Sequence, residues 1–442
     1  MGIRRSGRRF RAGTGSSGRV RISHLSTYDV AGGAARAAYR LHKGLNVAGH
    51  ESRFLALYKK STDPTVLQFV PPRDVATRLR RGLKRRYLER SARDVDGRPV
   101  GSTYFSDDRS QHGADALRQL PQTDVLNLHW IAGFIDYRDF FRELPPQLPV
   151  VWTLHDMNAF TGGCHYDETC GKFREQCGAC PQLGSSGPED LSSQIWRRKR
   201  KAFSVRGKNL QIVAPSRWLA EETKRSTLLS DCPTRVIPYG IDTESFQPRD
   251  RSLAREKHGI PIEAKTILFV ADSTSERRKG LRVLLEGLKG LENSEDYFFV
   301  IIGRGISKEG LGSRFKMIDF LDDEAALSYV YSAADVFVIP SLQDNLPNTT
   351  IEALACGVPT IGSNVGGIPE VVRDGRTGLV VPSGDPTALR QAIVSLLGKP
   401  ERRVSMASES RRLALQEYSL HVQTQSYQSL YQELITANGT RP

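Results

Sequence analysis

The chain has no apolar run long enough to span a bilayer. About 18 uninterrupted apolar residues are needed, and the longest runs here, such as FFVIIG and PVVWTL, are strand-sized. Acid is missing from residues 1–21, which hold seven arginines and no Asp or Glu. No apolar segment follows those arginines, so an export signal is not expected. An Arg-, Gly- and Ser-rich stretch of this kind does not fold alone, and residues 1–19 are expected to form a disordered basic arm. Gly13-x-Gly15-x-x-Gly18 lies inside it, but a dinucleotide fingerprint follows a strand and opens a helix, which this one does not. Cysteine is scarce as well: six residues, four of them between 164 and 180. With no export signal the expected location is cytoplasmic, where disulfides are disfavoured.

What is present is a 442-residue chain, too long for one ordinary core, so two domains are expected. The formal charge of +14 is concentrated in two places. Residues 1–21 carry +7, and residues 73–93 hold nine Lys/Arg against Asp74 and Glu89, again +7. The remainder is balanced, which argues against a nucleic-acid-binding fold with a broad basic face. In the second patch Val75, Leu79, Leu83 and Tyr87 recur every four residues among basic side chains. Two readings stand: a basic amphipathic helix for an anionic membrane face, or a solvated helix packed on its own domain. Gly82 weakens helix continuity.

From residue 20 short β-branched runs alternate with helical stretches. VRISHL, SRFLALY, DVLNLHW, VVWTLHD, LQIVAPS and TRVIPYG form one set. TILFVAD, DYFFVIIG, RFKMIDF, DVFVIPS, VPTIGSN and GLVVPSG form another. Such alternation predicts two α/β domains, each a doubly wound parallel sheet, facing a cleft. Ligands bind beyond the carboxyl ends of such strands, so the strand-to-helix loops are where chemistry is expected. The loop STYDVAGGAARAAYR puts Gly32 and Gly33 at a helix start, where backbone N–H groups can meet an anion. HDMNAFTGG places His155 and Asp156 at a strand end. In ADSTSERRKGLRVLL, Arg277, Arg278 and Lys279 precede a helix. Cations there oppose the helix dipole unless an anion shares the site. IIGRGI offers Gly303 and Gly305 as a flat surface for a ring. In PSLQDNLPNTTIEALACGVP, Asn348 or Thr349 is the expected N-cap. That puts Glu352 in the first turn, able to hold a diol such as ribose, with Asp344 eight residues before it. These groups describe a nucleotide-diphosphate-sugar site.

The residues resemble the retaining GT-B glycosyltransferases of family 4 (group 1), over about 20–438 and most strongly over 335–387. The resemblance implies two Rossmann-like domains. Residues 20–236 would bind the acceptor, residues 237–420 the donor, and residues 421–442 would form a helix returning to the first domain. Glu352 matches the second carboxylate of the family's E-x7-E motif, which binds the donor ribose. Asp344 stands where the first Glu faces the sugar; being one methylene shorter, it is expected either to shift that contact or to pass it to the backbone at Asn345-Leu346. Lys279 matches the family's diphosphate-binding lysine, with Arg277 or Arg278 in place of an arginine whose position is Asp272 here. Gly32-Gly33 match the N-terminal glycine loop and His155 the histidine near the acceptor. Ile237-Pro238-Tyr239-Gly240-Ile241-Asp242 resembles the interdomain segment. The implied catalytic set is His155, Asp344 and Lys279, acting by front-face displacement with no catalytic cofactor.

Cys164, Cys170, Cys177 and Cys180 lie in a loop over 161–183. The last pair has C-x-x-C spacing, so a structural zinc is the favoured expectation; two local disulfides or free thiols are the alternatives. The function expected is hexosyl transfer from a nucleotide-diphosphate sugar to a glycan or lipid-linked acceptor in surface polysaccharide assembly. It would take place at the inner face of the membrane. A sugar-nucleotide epimerase and a non-catalytic sugar-nucleotide binder share the fold. A zinc-stabilised nucleic-acid binder is the alternative from another class, and it leaves the RRKG loop and Glu352 without a role.

Overall fold

A computed structural model describes residues 18–96, 98, 99, 103–205, 210–291, 294–305, 313–319 and 321–439. Most of the basic arm, with Gly13 and Gly15, lies outside them. The first set of buried runs forms β1 (Arg21–Tyr28), β2 (Glu51–Tyr58), β3 (Val66–Gln68), β4 (Val125–Leu128), β5 (Val150–Thr153), β6 (Leu210–Ala214) and β7 (Thr234–Val236). They pair in the order β3-β2-β1-β4-β5-β6-β7, all parallel. The sequence pattern marks six of these seven. The extra strand, β3, is a three-residue edge strand, too short to show periodicity.

The second set gives β8 (Lys265–Ser273), β9 (Tyr297–Arg304), β10 (Phe315–Ile318), β11 (Val336–Ile339), β12 (Thr360–Ser363) and β13 (Gly378–Val381). Their order is β10-β9-β8-β11-β12-β13, again all parallel. Central strands such as β4, β5 and β11 are buried throughout, as parallel strands covered on both faces must be. Strand order reverses between β1 and β4, and again between β8 and β11. Those switch points are where a ligand crevice opens.

Two features bear on function. The helix Val75–Asp96 runs unbroken through Gly82. Val75, Leu79, Leu83 and Tyr87 on it are between 58% and 81% exposed, so its apolar row faces solvent apart from the Arg109 guanidinium 4.9 Å from the Tyr87 ring centre. Arg78, Arg80, Arg85, Arg86 and Arg90 are exposed beside that row. The second feature is the helix Leu420–Ala437, which leaves the second sheet and packs Tyr427, Leu430, Tyr431 and Ile435 against Val125, Val151 and Val213 of the first. There Asn127 Nδ2 donates to the Tyr431 hydroxyl at 2.8 Å, and the Thr153 and Tyr427 hydroxyls lie 2.9 Å apart. The two crossings between domains are tied together. Ile241 N–H donates to Tyr418 O and Leu420 N–H to Ile241 O, both at 2.8 Å. Gly240 permits this approach: a Cβ there would lie 2.8 Å from Leu420 Cα.

Candidate active site

A cleft of about 550 Å³ lies at the carboxyl ends of both sheets. From the first domain its wall takes Tyr28 at the end of β1, Gly32 after it, Trp130 after β4, and His155 and Asp156 after β5. From the second it takes Asp272 near the end of β8, Lys279 after it, and Ser341 through Thr349 and Glu352 after β11, with few gaps. Two helices, Gly33–Val47 and Asn348–Ala355, bring their amino ends to it from opposite sides. Asn348 Nδ2 bridges them, donating to Gly33 O at 2.9 Å. Free N–H groups and dipoles at both ends favour an anion between them.

Asp344 is the buried centre of charge. Lys279 Nζ lies 2.6 Å from Asp344 Oδ2, and Arg278 Nη1 lies 3.3 Å from Oδ1. Tyr166 donates its hydroxyl to Oδ1 at 3.4 Å, and the Arg278 guanidinium stacks 5.0 Å from the Tyr166 ring centre. Burial alone would raise the Asp344 carboxyl, but Lys279 and Arg278 outweigh it and hold it below the ordinary carboxylate range. Burial and the neighbouring Arg278 push Lys279 down. The RRKG loop takes this shape because Gly280 adopts a left-handed φ of 74°, where a Cβ would strike Pro340 O. Asn345 joins the domains here: its Nδ2 donates to His155 O at 3.1 Å, and Ser216 Oγ donates to its Oδ1 at 2.6 Å.

Glu352 lines the same cleft but is already engaged. Arg40, on the first-domain helix Gly33–Val47, donates to Oε1 at 3.0 Å, and Tyr331 donates its hydroxyl to Oε2 at 3.1 Å. Arg40 also donates to Glu324 at 2.9 Å. The expected N-cap is corrected: Pro347 occupies that position, with no side-chain cap, and Glu352 falls one turn into the helix rather than in its first turn. Asn348 is free for Gly33 for this reason.

Both His155 nitrogens are occupied, Nε2 by His129 at 3.1 Å and Nδ1 by the Tyr239 hydroxyl at 2.8 Å. Burial pushes His155 down to about 4. Beside it, Asp156 Oδ2 contacts His165 Nδ1 at 2.6 Å and accepts from Trp130 Nε1 at 3.1 Å. The loop after Asp156 is pinned by buried Lys199, which donates to the carbonyls of Asn158 and Thr161 and which burial pushes down to about 8.

Some expected residues are not brought to the cleft. Arg277 is exposed and off its wall, since the RRKG turn sends Arg278 and Lys279 inward instead. Gly303 is buried beneath the wall, where a Cβ would lie 2.3 Å from Ala271 O, so its smallness serves strand packing and not a stacked ring. Asp272 pairs at 2.5 Å with Arg304, which brings a guanidinium to the cleft wall from the end of the neighbouring β9. The four clustered cysteines are free thiols around a small separate cavity with Phe105, Asp167 and Lys172. Among the described residues no three His, Cys, Asp or Glu side chains are arranged to hold a metal ion. Two cleft residues, Tyr166 and His165, had no signal of their own in the sequence, and neither did Arg40, which binds Glu352. Trp130 had one, because it follows the β4 run as His155 follows β5.

Two family models match the chain: Glycosyltransferase Family 4 over residues 31–245 and Glycosyl transferases group 1 over residues 264–399. The chain is 30% identical over 223 residues to D-inositol 3-phosphate glycosyltransferase of Corynebacterium jeikeium, covering 46% of this chain and 52% of that protein. It is 31% identical over 214 residues to phosphatidyl-myo-inositol mannosyltransferase of Mycobacterium leprae, covering 46% and 54%. The chain thus spans about half the length of the curated relatives it matches. Sucrose-phosphate synthase of Thermosynechococcus elongatus superposes with a TM-score of 0.66 at 19% identity, over 95% of this chain and all of the other. Anabaena HepE in complex with UDP and glucose gives 0.61 at 15% identity, over 94% and 100%. These solved structures share the two-domain GT-B fold, and with both domain models matched, the chain belongs to the group 1, family 4 glycosyltransferases.

Proposed function

We propose that the cleft binds a nucleotide-diphosphate sugar and passes its hexosyl group, with retention of configuration, to a hydroxyl of a glycan or lipid-linked acceptor. The observation that carries this is the meeting of Lys279, Arg278 and Asp344 with two helix amino ends in one buried space. Lys279, Arg278 and the backbone N–H groups stabilise negative charge on the departing diphosphate, without reorganising as it forms. The bond from the anomeric carbon to the diphosphate oxygen breaks as the acceptor oxygen forms its bond on the same face. The acceptor proton passes to the leaving phosphate. His155, with both nitrogens already bonded, positions the loop and does not take that proton. HepE holds UDP and glucose, which supports a nucleotide-sugar donor. The names of the inositol-phosphate and phosphatidylinositol relatives support a phosphate-bearing acceptor.

The test is thermal stability against UDP-, GDP-, ADP- and dTDP-sugars. A donor at a hundredfold over its Kd should add about 2.7 kcal/mol to wild type, and markedly less to Lys279→Ala. No shift with any nucleotide sugar would end the donor-site reading.

Among the described residues no helix is long and apolar enough to cross a membrane. The helix Val75–Asp96 supports contact at the surface instead: an exposed apolar row flanked by arginines suits an anionic lipid face. The protein is expected to sediment with phosphatidylglycerol vesicles but not with phosphatidylcholine ones, and Leu79→Glu/Leu83→Glu is expected to stay in the supernatant. Equal sedimentation of the double variant would remove the helix from this role.

A further inference from the structure

Two buried histidines, the half-buried His155 and one tyrosine form a continuous line running in from the cleft. His24 Nδ1 lies 2.9 Å from His129 Nε2, and His129 Nδ1 lies 3.1 Å from His155 Nε2. His155 Nδ1 lies 2.8 Å from the Tyr239 hydroxyl. The histidines sit on or just beyond β1, β4 and β5, which are adjacent in the sheet and end at its switch point. Tyr239 belongs to the interdomain crossing. Tyr239 and His155 reach the cleft wall, whereas His24 and His129 lie wholly behind it.

A neutral imidazole has one N–H and one bare nitrogen. Hydrogen bonds along such a line must therefore all point the same way, and either end can set the direction. Burial keeps all three rings neutral, with His155 pushed down to about 4 and the other two well below their ordinary value. If Tyr239 donated into the line, His24 would be left with a proton on Nε2. That atom is buried and has no hydrogen-bond partner among the described residues. An orphaned buried N–H is rarer in proteins than an under-used acceptor, and leaving it unsatisfied costs its full desolvation. The opposite direction leaves only a lone pair there. It runs from His24 Nδ1–H to His129, from His129 Nδ1–H to His155, and from His155 Nδ1–H to the Tyr239 oxygen. The Tyr239 proton is then not used by the line and can point into the cleft.

We infer that His24 and His129 are positioning residues that fix the polarity of this line, so that Tyr239 acts as a hydrogen-bond donor to an oxygen of the bound sugar diphosphate. The role given to Tyr239 rests on the reading of the cleft as a sugar-nucleotide site; the polarity of the line does not.

The polarity is read first, on ligand-free full-length protein labelled with 15N-histidine at neutral pH. Long-range proton–nitrogen spectra should show His24, His129 and His155 all protonated at Nδ1 and bare at Nε2. A proton on Nε2 of His24 or His129, or a doubly protonated ring at either, overturns the inference. In Tyr239→Phe the His24 and His129 patterns should persist, because the deep end sets them; their reversal also overturns it. With UDP-glucose as the probe, Tyr239→Phe should bind about three- to tenfold more weakly than wild type. His24→Leu should show the same loss, and His24→Asn, which keeps an N–H near the Nδ1 position, should largely restore binding. Unchanged affinity in Tyr239→Phe overturns the role of its hydroxyl. Failure of wild type to bind any nucleotide sugar overturns the cleft's assignment, a result the ligand-free spectra keep separate.

Discussion

With Lys279 replaced by alanine, sugar transfer is expected to fall by roughly two to three orders of magnitude, the loss usual when one preorganised donor to a developing negative charge is removed. Lys279 is half-buried against the buried Asp344 carboxylate and beside Arg278, and water replaces a missing ammonium poorly there. The fold should tolerate the change, because Arg278 still faces the Asp344 carboxylate at 3.3 Å. Lys279→Arg should recover part of the rate, and Asp344→Asn should not rescue Lys279→Ala even though it rebalances the charge. The measurement is kcat and KM with the nucleotide sugar that stabilises wild type, alongside the melting temperature of each variant. A kcat within about threefold of wild type in a folded Lys279→Ala protein would remove Lys279 from the chemistry.

Arg40→Ala is expected to destabilise the protein by about 3–5 kcal/mol, the cost of leaving a buried charge unpaired. Arg40 and Glu352 are 7% and 4% exposed, and Arg40 also holds Glu324. Removing the guanidinium leaves the Glu352 carboxylate, among the described residues, with only the Tyr331 hydroxyl. The double variant Arg40→Met/Glu352→Gln should recover most of the loss, since no buried charge then lacks a partner. Denaturant titration of the two single variants and the double closes the cycle. A single-variant effect of about 1 kcal/mol or less would mean that the pair is solvated and that Glu352 stands open to a ligand. The pair has a functional side too, because the carboxylate that the family resemblance matches to the donor ribose is clasped by the opposite domain.

The strand-to-helix pattern made the two sheets legible, since parallel strands buried on both faces read as unbroken apolar runs. The same logic found His155, Lys279 and Asp344, each in a loop that leaves the carboxyl end of a strand. Arg40 was not legible: it sits in an ordinary helix, and its partner lies 312 residues away. His24 and His129 look like core residues, and only their alignment across three strands gives them meaning. Tyr166 was hidden among cysteines whose spacing drew attention to metal binding. Arg277 was over-read, because the sequence cannot tell which of three successive cations a tight turn points inward.

The helix Leu420–Ala437 has a consequence for how the molecule is made. Until residues 427–431 leave the ribosome, Asn127 and Thr153 lack the tyrosine hydroxyls that satisfy them, and Val125, Val151 and Val213 lack their cover. The usual N-terminal-first order of multidomain synthesis therefore cannot run to completion here. The first domain must wait for the second to be translated, holding an uncovered apolar face during that interval.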